Sequence, residues 1–151
     1  MKILRSIVYL LLAAFLASSL TAAHHGNKPE SSGPVKALII TGGCCHNYHY
    51  QTSAMTEGIS KVVDVNWTIL HEGGTGKDHQ SAFYEDPNWA KPFDVVLHNE
   101  CFAKNVDEDY IKKITEGHKK AGVPGIVIHC AMHTYRDIEA NDWRKFLGVT
   151  S

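Results

Sequence analysis

Ten histidines and four cysteines stand out in this chain of 151 residues. Those side chains shuttle protons, bind metals and attack electrophiles. Most fall in four short runs: Gly42-Gly43-Cys44-Cys45-His46, His71-Glu72, His98-Asn99-Glu100-Cys101 and His129-Cys130-Ala131-Met132-His133. His98 and Glu100 have the make-up of an acid–base pair, because a carboxylate orients an imidazole. Alternation along extended backbone puts both on one side. His129 is the leading candidate for acid–base work or ligand contact. Cys130 is a candidate nucleophile, with His129, His133 or His98 as its base.

The remaining residues of the runs suit binding. Cys44-Cys45 is a redox pair, a ligand set or two ordinary residues, and His46 and His133 are ligand contacts. Gly42 and Gly43 allow close backbone approach at a pocket floor. Arg136 can grip an anion bidentately or pair with Glu100, Asp137 or Glu139. Zinc accepts His, Cys and carboxylate, so Cys44, His46, His98, Glu100, Cys101, His129 and His133 form a ligand pool. No CxxC or HExxH spacing is present, so no metal site is expected and the cofactor is left unknown.

Each run needs an element to position it. Val35–Thr41 is a continuous apolar segment ending at two glycines, the pattern of a buried parallel strand. Tyr50–Val62 is expected to be helical on Met55, Ile59 and Val62, and Val63–Leu70 a strand. Ser81–Pro92 has no period and is expected to be loop with one helical turn. Phe93–His98 is a third strand. Asp107 caps a helix that Gly122 stops near Ala121. Pro124–His129 is a fourth strand and Ile138–Phe146 a last helix. Strands alternating with helices predict a parallel sheet with right-handed crossovers. In such sheets ligands sit beyond the carboxyl ends of the strands, where the four runs fall.

The start of the chain has a different character. Lys2 and Arg5 precede the apolar Ile7–Leu16, and small residues lead to Thr21-Ala22-Ala23. That order is a secretory signal peptide over 1–23, since the apolar run is shorter than the roughly 20 residues of a membrane span. The expected product is secreted or periplasmic, with no membrane attachment after cleavage. Residues 24–34, rich in Gly, Ser, Pro and His, form a linker, and 35–151 a single domain. Net charge is −1, which gives no footprint for nucleic acid. Export permits disulfides, and four cysteines pair in three ways.

The pieces KALIITGGCCHNYHYQ, WTILHEGGTG, DVVLHNECFA and PGIVIHCAMHTYRD resemble the ThuA-like family, named for trehalose utilisation. The likeness runs from about Lys36 to Ser151 and is to the Cys- and His-rich versions in exported bacterial proteins. It implies a flavodoxin-like α/β three-layer sandwich with a parallel sheet, similar to class I glutamine amidotransferases. It also implies a small sugar or sugar derivative bound or transformed at the strand ends; the partners expected are that sugar ligand and, as a homo-oligomer, further copies of the chain. The amidotransferase nucleophile is a Cys on a sharp turn after a strand. Here Cys130 lacks the elbow glycines, and a one-residue register change puts His129 in that position. The family domain extends past the equivalent of Ser151, so this domain is expected to lack its last strands. A Cys/His-dependent hydrolase or amidotransferase-like enzyme and a non-catalytic metal- or ligand-binding module are the alternatives.

Overall fold

The structure is a computed structural model that describes residues 33–138 and 142–149. The expected signal peptide, most of the linker and Glu139 lie outside the described residues. Four strands, β1 (Val35–Gly43), β2 (Val65–His71), β3 (Val95–Cys101) and β4 (Gly125–Val127), form one parallel sheet in the order β2-β1-β3-β4. Helices α1 (Tyr48–Ser60), α2 (Glu108–Ala121) and α3 (Asp142–Leu147) complete the α/β arrangement, compatible with the flavodoxin-like sandwich. The chain leaves β1 toward β2, then returns to β1's other side with β3. Strand order therefore reverses between β1 and β3, which is where ligand crevices open in such sheets.

Period-two alternation along β1 and β3 splits the core into two layers. Leu38, Ile40 and Val96 face Tyr110, Ile111 and Ile114 of α2, together with Tyr84, Trp89 and Trp143. Ala37, Ile39 and Leu97 face the opposite way, against Ile59 of α1. The two sides are unequal. Ile126 of the edge strand β4, on the α1 side, is 51% exposed.

Local signals set several boundaries. Asp107 Oδ1 accepts the Tyr110 amide at 3.0 Å, and Gly122 ends α2 at φ +66°. Only glycine takes that left-handed conformation without steric cost. Several expectations moved: of the expected strand Pro124–His129 only Gly125–Val127 is strand, and the last helix is Asp142–Leu147, with Ile138 outside it. Helix α1 starts at Tyr48, because Asn47 Oδ1 accepts from Tyr50 N at 3.0 Å; it buries Tyr48 and Thr52 and leaves Val62 exposed. Strand β3 runs three residues past His98, because β1 continues pairing with it: Gly42 faces Glu100 and Gly43 faces Cys101. The Ser81–Pro92 segment holds one 3-10 turn, Ala82–Glu85, and sends Tyr84, Trp89 and Ala90 into the core.

Candidate functional site

The end of β1 is built by its glycines. Gly42 has φ +131° and Gly43 φ +92°. A Cβ on Gly42 would collide with the Glu72 carbonyl oxygen, and one on Gly43 with that of Cys101. These glycines let the strand ends close on each other, and both are buried. The expected pocket-floor role is corrected accordingly: what approaches them is neighbouring backbone.

Beyond them the chain turns through Cys45, a non-glycine residue at φ +91°. Cys44 and Cys45 form a disulfide, leaving Cys101 and Cys130 as free thiols. The Tyr48 hydroxyl donates to the Cys44 carbonyl at 2.7 Å, tying α1 to this turn. Burial, with the Cys101 and Cys130 sulfurs nearby, raises the Tyr48 hydroxyl pKa above its ordinary range. Cys44 Sγ lies 3.8 Å from Cys101 Sγ. Burial and the adjacent Cys130 push the Cys101 thiol up to about 11, so it is protonated at neutral pH.

The end of β4 completes the cluster. His129 opens a 3-10 turn, His129–His133, with φ +28°. In the turn after β4 the residue with positive φ is His129, not Cys130. His129 is exposed, whereas Cys130, one residue on, is 9% exposed. From the turn after β1, His46 Nε2 stands 2.9 Å from Cys130 Sγ. The His46 and His129 rings are 5.6 Å apart. His46, His129 and Cys130 each offer a donor atom, and the three atoms lie within 4.8 Å of one another. His133 is half-buried with its ring 6.1 Å from that of His129. The HxxxH spacing of these two lies on a 3-10 turn, where residues three apart eclipse, so i and i+4 do not share a face.

His98 and Glu100 are placed elsewhere. They share one side, as alternation requires, but that side faces α2, and they are 0% and 1% exposed. Neither reaches a ligand over the strand ends, because β3 continues past them as sheet. Their expected acid–base role on substrate is corrected to an internal one. His98 Nδ1 lies 2.9 Å from Glu100 Oε1, and His98 Nε2 lies 2.9 Å from His118 Nε2. His118 Nδ1 donates to the Val123 carbonyl at 2.8 Å. Burial, with His98 beside it, lowers the His118 pKa to about 4, so His118 is neutral at pH 7. Its Nε2 then accepts from His98 Nε2–H, and one proton lies between His98 Nδ1 and Glu100. Glu100 Oε2 has no hydrogen-bond partner among the described residues. Glu100 also lines a cavity of about 10 Å³ with Tyr84, Tyr110 and Tyr135.

The other candidates fall around the cluster. Arg136 is exposed. Of its expected partners, Glu100 is bound to His98, and Asp137 to Lys104 Nζ at 2.8 Å. The Arg136 charge acts through space on Asp137 and on the Cys101 sulfur. At the end of β2, burial pushes the Glu72 carboxyl up, but hydrogen bonds from Ser81 and His79 outweigh it and hold it below the ordinary range. Sequence reasoning missed several pairings, His98 with His118 and His79 with Glu72 among them. His46 serves Cys130 from 84 residues away, and no local signal announces a contact of that range. The His49 and His71 rings lie 4.2 Å apart, and His71 is lowered by burial and by His49. Comparison with known protein families, curated proteins and solved structures found no match for this chain.

Proposed function

We propose that this chain binds and transforms a small sugar or sugar derivative over the ends of β1, β3 and β4, the ThuA-like reading of its motifs, as an exported protein. The observation that carries it is His129: an exposed imidazole on the turn after β4, facing exposed His46 across the strand-order reversal. An imidazole is the side chain best suited to take a proton from a hydroxyl and return it near neutral pH. A backbone outlier at such a place supports a functional reading. His133 extends the polar rim. Trp89 and Trp143 do not serve as sugar platforms, since both are core residues.

The test is calorimetry of the intact chain against a panel of mono- and disaccharides. His129→Ala is expected to abolish the binding heat while leaving the circular dichroism spectrum unchanged. Heat that survives in the variant removes His129 from the assignment.

A second reading is favoured by the 2.9 Å contact between His46 and Cys130. A thiol beside an imidazole is the arrangement of an activated nucleophile. It makes the chain a Cys-dependent hydrolase or amidotransferase-like enzyme, with His46 rather than His98, His129 or His133 as the base. Iodoacetamide labelling of Cys130 with matching loss of turnover supports this reading, and an active Cys130→Ser protein excludes it.

A further inference from the structure

The geometry points to a binding site for one divalent transition-metal ion, zinc-like in its preferences, held by His46, His129 and Cys130. It rests on the strand-end cluster of the proposed function and names what that cluster holds. Two imidazoles and one sulfur are a borderline-soft donor set, which selects zinc and its neighbours over magnesium or calcium. The three donor atoms lie within 4.8 Å of one another. Around tetrahedral zinc, with bonds of about 2.0–2.3 Å, donor atoms stand roughly 3.3–3.7 Å apart. The present spacing brackets that range, with His46 and Cys130 closer at 2.9 Å, so side-chain rotation is enough to admit the ion.

Three features beyond proximity support the site. The donors sit on the turns that follow β1 and β4, at the same end of one parallel sheet. His129, and Cys45 just before His46, are both held in left-handed backbone. Such outliers persist where the surroundings over-determine them and cluster at ligand clamps. Finally, the sulfur is unambiguous. Cys44 and Cys45 are bonded to each other, and of the two free thiols it is Cys130 whose sulfur lies 2.9 Å from His46 Nε2. Three protein ligands, two of them exposed imidazoles, leave a fourth position for water, the arrangement of catalytic rather than structural zinc. The ion would enter with loss of the Cys130 thiol proton and with both imidazoles neutral.

The experiment is a cobalt titration of the full chain, stripped of metal, followed by absorption without any sugar present. One Co²⁺ per chain is expected, with a near-ultraviolet thiolate-to-cobalt band that zinc displaces. Cys130→Ser is expected to lose that band. His46→Ala and His129→Ala should each weaken binding by more than the roughly 10- to 100-fold that an outer-shell partner is worth. His49→Ala, outside the set, should bind as the parent does. Absence of cobalt binding overturns the site, as does a thiolate band that survives in Cys130→Ser, which would assign the sulfur to Cys101. If Cys130→Ser fails to fold, unchanged affinity in His46→Ala, a surface position, overturns it equally. Sugar heat without cobalt binding would remove the metal site alone, and cobalt binding without sugar heat would remove the sugar reading alone.

Discussion

Two histidine clusters occupy one sheet and differ in almost everything but their side chains. His98, Glu100 and His118 lie on the α2 face, sealed from water, each ring nitrogen of both histidines taken by an internal partner. His46, Cys130 and His129 lie at the strand ends, with both imidazoles open to solvent. In the first, proton positions are fixed by neighbours, so titration is coupled to folding. In the second, both imidazoles stand at the surface, where a ligand can reach them. A list of His and Glu residues does not separate these roles; burial and partners do.

Truncating the buried cluster should cost most. Glu100→Ala leaves His98 Nδ1 without its partner in a desolvated layer. Losing one member of a buried pair costs about 3–5 kcal/mol, and urea denaturation should report a loss of that order. A loss below about 1 kcal/mol would mean that this cluster is not a stability element, and the contrast with the strand ends would collapse.

Acid should act on the same cluster with a smaller effect. His118 titrates near 4 when folded, against an ordinary value of 6.5. Between those values the unfolded chain binds the extra proton, so stability is fully present above about pH 6.5 and falls as pH drops toward 4. The fall is on the order of 2–3 kcal/mol. Denaturation midpoints that stay flat from pH 7 to pH 4 would remove His118 from the ledger of folding.

The strand-end cluster should respond in the opposite sense. His129→Gly relieves a left-handed backbone at a surface position and is expected to stabilise by about 1 kcal/mol while losing ligand or metal binding. A thermal melt beside the cobalt titration checks both halves. A variant that loses stability while keeping affinity would reverse the comparison.

Much of the framework was legible in the residues. The apolar runs at Val35 and Phe93 marked the central strands, and Asp107 and Gly122 bracketed α2 within a residue. The alternation that puts His98 and Glu100 on one side was also legible. Where β3 ends was not. Phe93–His98 looked like a complete strand, because the polar residues that follow resemble a loop. Pairing with β1 carries it to Cys101 and turns a presumed rim into the interior. For the same reason Gly42 and Gly43 looked like a ligand floor, whereas their Cα atoms face the carbonyls of Glu72 and Cys101.

By itself the sequence determined that strands and helices alternate and that titratable residues gather after each strand. Those properties follow from local periodicity and from the direction in which parallel strands run. Only the tertiary structure decided which histidines meet water. It also decided that His129, not Cys130, takes the positive φ after β4, that Cys44 pairs with Cys45, and that His46 meets Cys130 across 84 residues. Each of those outcomes depends on which sheet face is covered and which strands are neighbours, and both are set by long-range packing that no short window of residues contains.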